Sequence, residues 1–315
     1  ELGLALGRVH AVQQRFAEAE TRFRQVLEAG ARADTSARAL YELGWLFLDQ
    51  DQPDVGESHF DRLLQEHPGH LLAADAAFRL GERAYARGRF PQAADRYRIA
   101  AAGSGPAAAP AGYKLGWALQ QAGDHAGAAG AFARVADRFP KHALALESRV
   151  RAAQALIRAG EVAAARRALE SVLERMNPGP EEQELLAEAR CALAGLLLAA
   201  SEWPAAREAV APVARAELGR RGVRAQLLLA EAVRGAEGAG PALVELGRAA
   251  RLAAPFPDLL AEARFRAAEC RVQLGKLREA EATWREILSQ FPGTEWAGRS
   301  RAKLAEMLPK GADSP

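Results

Sequence analysis

Three histidines, His59, His67 and His70, come closest to a metal-ligand set in these 315 residues. Imidazole binds zinc where three or four ligands converge at fixed offsets. His67 and His70 instead flank Pro68-Gly69, and no cysteine or acid stands at a helical offset from them. No metal and no cofactor are expected. Cys191 and Cys270 lie far apart in the chain among apolar positions, without CxxC or zinc spacing, and are expected to act as small hydrophobes. Gly275-Lys276-Leu277 lacks the upstream glycine and the following Ser or Thr of a phosphate loop. GxSxG, HExxH and GxGxxG are all absent. Glu181-Glu182 stand at a polar helix start, where acids favour the positive end of the helix dipole. No catalytic residue is identified, and the chain is not expected to be an enzyme.

Binding chemistry is better represented. Trp45 and Trp117 recur at equivalent positions, and Arg79, Lys114 and Arg151 form a basic series between and after them, with Glu82 and Gln154 alongside. Exposed Trp anchors protein contacts, and arginine holds a carboxylate through two parallel hydrogen bonds. The competing expectation is structural. Asp75, Glu147 and Glu262 stand four residues before Arg79, Arg151 and Arg266, the spacing of solvated helix ion pairs worth only tenths of a kcal/mol.

These residues must be carried on helices. Alanine, the best helix former, accounts for 74 positions, whereas aromatics make up 6%, too few for a sandwich or barrel. A net charge of +2 from 42 basic and 40 acidic residues predicts no nucleic-acid footprint. No apolar run is long enough for a membrane helix. The chain opens with Glu1-Leu2-Gly3 already inside an amphipathic pattern, as expected of a segment of a longer protein.

A repeat runs through the whole length. Tyr41-Glu-Leu-Gly-Trp45 returns as Tyr113-Lys-Leu-Gly-Trp117, with Phe78-Arg-Leu-Gly-Glu82 between them. Gly7, Gly44, Gly81, Gly116, Ala153, Ala194, Ala230 and Ala268 form one column at nearly even intervals. Twelve residues after each anchor comes a second small residue (Ala19, Gly56, Ala93, Ala128, Ala165, Ala206, Ala242, Ala280). Four further on stands a larger apolar one: Phe23, Phe60, Tyr97, Phe132, Leu169, Val210, Leu246 or Trp284. Small residues on two antiparallel helices let the backbones approach, and the larger one fills the remaining space. Gly88, Gly123, Gly160 and Gly275 mark the turn between the helices. Pro53, Pro91, Pro204 and Pro241 open the second helix, and Pro68, Pro140, Pro178 and Pro292 close it. The run Gly235-Ala-Glu-Gly-Ala-Gly-Pro241 predicts a looser turn in the seventh unit.

This framework resembles the tetratricopeptide repeat over essentially the whole chain. The resemblance implies an all-α fold: a right-handed α-solenoid superhelix of about eight helical hairpins plus a C-terminal capping helix. It is expected as a single solenoid over 1–308, with units near 1–34, 35–70, 71–106, 107–141, 142–180, 181–218, 219–256 and 257–293. A capping helix follows over 294–308 and a tail over 309–315. Units longer than the family standard, with endings such as Arg138-Phe139-Pro140 and Gln290-Phe291-Pro292, are similar to those of a bacterial envelope subclass. That subclass includes outer-membrane assembly lipoproteins and Tol–Pal coordinators, and it implies a periplasmic or outer-membrane-associated setting over a cytoplasmic one. The chaperone-binding clamp of some members would fall on Phe78, Glu82, Tyr41 and Trp45, which are the wrong residues for it.

The resemblance implies a non-enzymatic scaffold that binds a protein or peptide segment in a concave groove lined by Trp45, Arg79, Glu82, Lys114, Trp117, Arg151 and Gln154. Nucleic acid is not expected there, because Glu42, Asp75, Glu82 and Glu147 stand beside the basic series. The alternative is an architectural spacer without a tight groove ligand. An exposed aromatic patch on the groove would favour the binder, and fully paired charges would favour the spacer.

Overall fold

Wherever the small-residue column predicts a helix, the computed structural model has one, and its described residues, 1–174, 179–216 and 219–307, contain seventeen helices and no strand. The chain divides into two compact units, Glu1–Glu161 and Val162–Pro315, with the boundary just after the Gly160 turn.

The first unit holds α1 (Leu2–Val12), α2 (Phe16–Glu28), α3 (Ala33–Asp49), α4 (Pro53–Glu66), α5 (Leu71–Ala86), α6 (Phe90–Ala102), α7 (Ala108–Gln121), α8 (His125–Arg138) and α9 (Leu144–Arg158). Consecutive helices pack as hairpins, and α9 lies on α8. The odd-numbered helices α3, α5, α7 and α9 also touch one another in sequence, so their equivalent positions line up along one face. The second unit holds α10 (Val162–Leu173), α11 (Pro180–Ala199), α12 (Trp203–Arg215), α13 (Gly219–Glu237), α14 (Ala239–Leu252), α15 (Pro257–Gln273), α16 (Leu277–Gln290) and α17 (Glu295–Met307). There too each helix packs on the next, and α17 covers both α15 and α16. Its Trp296 ring lies 5.3 Å from Phe265, as a capping helix requires. Pro178, Leu308 and the tail 309–315 lie outside the described residues.

Glycine packing sets the hairpins of the first unit. Phe23, Phe60, Tyr97 and Phe132 are fully buried, each with its ring on the anchor glycine of the facing helix. A Cβ placed on Gly81 would come within 2.7 Å of the Tyr97 ring, and one on Gly116 within 2.5 Å of the Phe132 ring. In the second unit the anchor is alanine; the facing residue shrinks to Val210 and Leu246 in two hairpins, while the last keeps a large ring, Trp284, all three buried. Glycine with a ring and alanine with a branched aliphatic conserve roughly the same volume, the exchange that packed cores tolerate best.

Turns follow one rule. Gly88, Gly123, Gly160 and Gly275 have positive φ, between 71° and 85°, in the left-handed region where glycine pays no Cβ penalty. Gln14, Asp51 and Ser201 take the same position, with φ of 57° to 60°. The position is therefore left-handed whatever residue occupies it, at about 1–2 kcal/mol where that residue is not glycine. Pro53, Pro91 and Pro204 stand in the first two positions of their helices. α4, α8 and α16 stop two residues before Pro68, Pro140 and Pro292.

The glycine-rich run 235–241 departs from expectation and is not a loose turn. α13 continues through Gly235 to Glu237, and Gly238 alone, at φ 94°, reverses the chain. Gly235 is a packing residue, because the Trp203 ring lies where its Cβ would be.

The sign of a glycine substitution should therefore depend on what faces it. Gly116→Ala drives a methyl into the Phe132 ring, and overpacking costs about 1–3 kcal/mol, against about 1 kcal/mol gained in helix propensity. Gly195 in α11 faces open space, so Gly195→Ala keeps only the gain. In urea unfolding the midpoint should fall for the first variant and rise for the second. Shifts of the same sign would refute the ring-on-glycine contact.

Candidate partner-binding face

All seven predicted residues come together on the face made by α3, α5, α7 and α9. Trp45, on α3, is half-buried and stands edge-on to Phe60 (6.1 Å between centroids) and Tyr41 (6.3 Å). The Arg79 guanidinium from α5 covers its outer face at 5.0 Å. Arg79 in turn pairs with Asp75 (3.7 Å), and the Tyr41 hydroxyl donates to the same carboxylate. Tyr41, Asp75, Arg79 and Trp45 thus close a ring of contacts between two hairpins.

The ring repeats two hairpins later, on α7 and α9. The Tyr113 hydroxyl donates to Glu147 Oε1 at 2.7 Å, Arg151 pairs with that oxygen at 3.3 Å, and its guanidinium lies 5.6 Å from the Trp117 ring. Trp117 stands edge-on to Tyr113 at 6.2 Å. Gln154 Oε1 accepts from Arg151 at 2.9 Å. Between the two rings Glu82 bridges neighbouring hairpins, taking the Tyr97 hydroxyl and Lys114 Nζ, the latter at 3.2 Å. Glu42 receives Arg8 from α1 at 2.6 Å.

The face is therefore a continuous ladder of partly buried polar and aromatic groups, in which every named cation already meets a carboxylate. The i,i+4 pairs form as their spacing predicts, including Glu262–Arg266 (2.6 Å) in the second unit. Trp45 and Trp117 are capped by arginine, not bare. Spacing within one helix does not reveal the Tyr41–Asp75 and Tyr113–Glu147 bonds, which run between hairpins. Their signal is the recurrence of Tyr, Trp, Asp or Glu, and Arg as a set, from Tyr41–Arg79 to Tyr113–Arg151. Burial, then the hydrogen bond to Asp75, pushes the Tyr41 phenol up to about 12. Burial followed by Glu82 raises Tyr97, and burial, with Glu147 adding to it, raises Tyr113.

The histidines do not converge. His59 is stacked on Phe47 (5.4 Å), and burial holds its ring below the usual range. His70 caps α5, its Nδ1 accepting from Leu72 N at 3.2 Å, with Asp34 3.2 Å from Nε2. Among the described residues no three His, Cys, Asp or Glu are grouped to hold a metal ion. Cys270 is fully buried, and burial pushes the Cys191 thiol up to about 11, away from the thiolate that nucleophilic chemistry needs. Glu182 accepts from Gly179 N at the start of α11, as a helix-start acid should. No described helix is long and apolar enough to cross a membrane.

A family model described as tetratricopeptide repeat matches residues 4–70, 41–111, 78–143 and 113–179, and a second of the same description matches 262–294. None of the curated proteins matches the sequence. Among solved structures, the Naa15/Naa10 complex bound to HypK-THB contains a chain 14% identical, covering 94% of this chain and 43% of that one at a TM-score of 0.62. BtubC from P. vanneervenii is 18% identical over 77% of this chain and 96% of its own, at 0.52. The C-terminal part of a repeat protein from Cytophaga hutchinsonii is 14% identical over 94% and 98%, at 0.50. At such identities the likeness concerns the fold.

The Tyr41 shift has a pH consequence. A phenol whose pKa is raised in the folded state contributes stability that is complete below about pH 10 and is lost as pH rises through about 12. Tyr41→Phe should therefore lose less stability than wild type between about pH 9 and pH 11 in denaturant titrations. Equal losses would show that the Tyr41 phenol is not raised by its surroundings in the folded protein.

Proposed function

We propose that this chain, which belongs to the tetratricopeptide repeat family, is a non-enzymatic scaffold that takes a segment of a partner protein along the face of α3, α5, α7 and α9. Repeats of this family mediate protein–protein interaction and are typically non-catalytic. The observation that carries the site is the ladder itself: Trp45, Arg79, Glu82, Lys114, Trp117, Arg151 and Gln154 are contiguous across four helices and all partly exposed. An extended or helical segment with acidic and apolar residues would exchange its carboxylates for those of Asp75, Glu82 and Glu147 and lay apolar side chains on the two indoles. That exchange trades one ion pair for another, so modest affinity is expected. The same three carboxylates oppose a nucleic-acid backbone.

A second reading, an architectural spacer, is favoured by one specific observation: the charges on this face are satisfied within the chain. The envelope setting rests on repeat length and the Phe-Pro closings, and a leader peptide with a lipidation cysteine in the full open reading frame would support it.

The groove is tested by affinity capture with wild type and with the Trp45→Ala, Trp117→Ala, Arg151→Glu variant, both checked for helical content. Loss of a partner captured by wild type at the same salt supports the groove. Recovery of the same partners by both proteins removes this face as the site.

A further inference from the structure

A second surface, sharing no residue with that face, lies on α12, α13 and α14. α12 and α14 both pack on α13 and leave a cavity of about 490 Å³ between them. The room exists because α12 presents Ala211 and Ala214 there, and Leu229, Val233 and Leu252 supply an aliphatic part of the lining. Four guanidiniums surround it: Arg207 and Arg215 from α12, Arg248 and Arg251 from α14. Two of them have partners. Arg207 pairs with Glu237, and Arg248 with Glu245 at 3.1 Å. Glu245 is held from below by Gln226, 4% exposed, whose Nε2 donates to its carboxylate at 2.6 Å. The cavity thus already seats one carboxylate between an amide and an arginine.

The Arg215 and Arg251 side chains are exposed and make no ion pair or hydrogen bond among the described residues. Both stand in the last turns of their helices, where a cation is favoured by the dipole. In the first unit a cavity built the same way from α6, α7 and α8 shows what an arginine serving a helix end does. Arg138 donates to the carbonyls of Ala101 (2.7 Å) and Gly103 (2.6 Å) at the end of α6. Arg215 and Arg251 make no such bond. Their two charges exceed the roughly half-unit of negative charge at each helix end.

We propose that this cavity is a docking site for an acidic segment of a partner protein, with Arg215 and Arg251 taking its carboxylates and Arg207 and Arg248 flanking them. Arginine forks match carboxylates with paired hydrogen bonds. Phosphate backbones of nucleic acid fit less well: no aromatic side chain lines the cavity for base stacking, and Glu237 and Glu245 stand beside the arginines. The aliphatic floor suits the methylene stems of Glu side chains.

The test uses the full chain and a fluorescein-labelled peptide of alternating Glu and Ser, with a Gln-for-Glu peptide as its neutral counterpart, read by anisotropy at low salt. The Glu peptide should bind and the Gln peptide should not. Arg215→Glu with Arg251→Glu should weaken binding by about tenfold or more, the effect of about 1 kcal/mol from each exposed pair and the added repulsion. Arg278→Glu with Arg301→Glu, exposed positions elsewhere with the same charge change, should alter it by less than about twofold. The triple variant of the α3–α9 face should bind the peptide as wild type does, so failure of that face and failure of this cavity are separable. Equal loss in the two double variants, or equal binding of the Gln peptide, would overturn the proposal. So would a single-stranded oligonucleotide binding more tightly through the same arginines. Displacement of the peptide by equimolar inorganic phosphate would overturn it too, in favour of a small-oxyanion site.

Discussion

An aromatic ring resting on a glycine governs the first unit. With Phe60 against Gly44, Tyr97 against Gly81 and Phe132 against Gly116, the two helices of each hairpin approach as closely as a ring's thickness permits. Interiors are packed to crystal-like density, so this separation is fixed, not adjustable. The ring also braces the face: Phe60 and Phe132 each support, edge-on, the indole one residue beyond the glycine they cover. Deep packing and surface chemistry are joined at one side chain.

The polar ladder follows from that spacing. Because the first helices lie side by side, a tyrosine on one reaches a carboxylate on the next, and that carboxylate's own i+4 arginine swings back over the indole. Each exposed ion pair alone is worth about 0–1 kcal/mol. Tied into a ring with a partly buried phenol and a cation–π contact, it instead fixes the register of one hairpin on its neighbour. That self-sufficiency is also why any ligand on this face must compete with the protein's own side chains.

Much of this is legible in the residues. The anchor, small-residue and ring columns are periodic, so helix order, hairpin order and the buried aromatics follow from spacing. Gly88, Gly123, Gly160 and Gly275 announce their turns because glycine is the residue that favours positive φ. Gln14, Asp51 and Ser201 do the same work silently, since their types are common in many settings and only the column assigns them. The α13–α14 turn misleads because three closely spaced glycines suggest slack, whereas Gly235 is occupied in packing against Trp203. The arginine cavity is invisible for a different reason. Arg207, Arg215, Arg248 and Arg251 come from two helices that meet only through a third, and the space between them is made by two alanines that read as ordinary helix formers.

The two-hairpin recurrence is not confined to the tyrosine–tryptophan rings. Phe60 and Phe132, Pro68 and Pro140, and the helix-capping His70 and His142 keep the same interval as Tyr41 and Tyr113, and both histidines accept from the amide two residues on. In this half of the chain the polar ring therefore repeats every two hairpins, not every one. Removing α5 to α8 with their connecting residues would set Tyr41 and Trp45 against Glu147 and Arg151, and so would keep the ring. Excising α5 and α6 with their connecting residues would instead set Tyr41 and Trp45 against Pro110 and Lys114, where no carboxylate stands. The tyrosine–tryptophan ring thus survives a change of two hairpins and not a change of one.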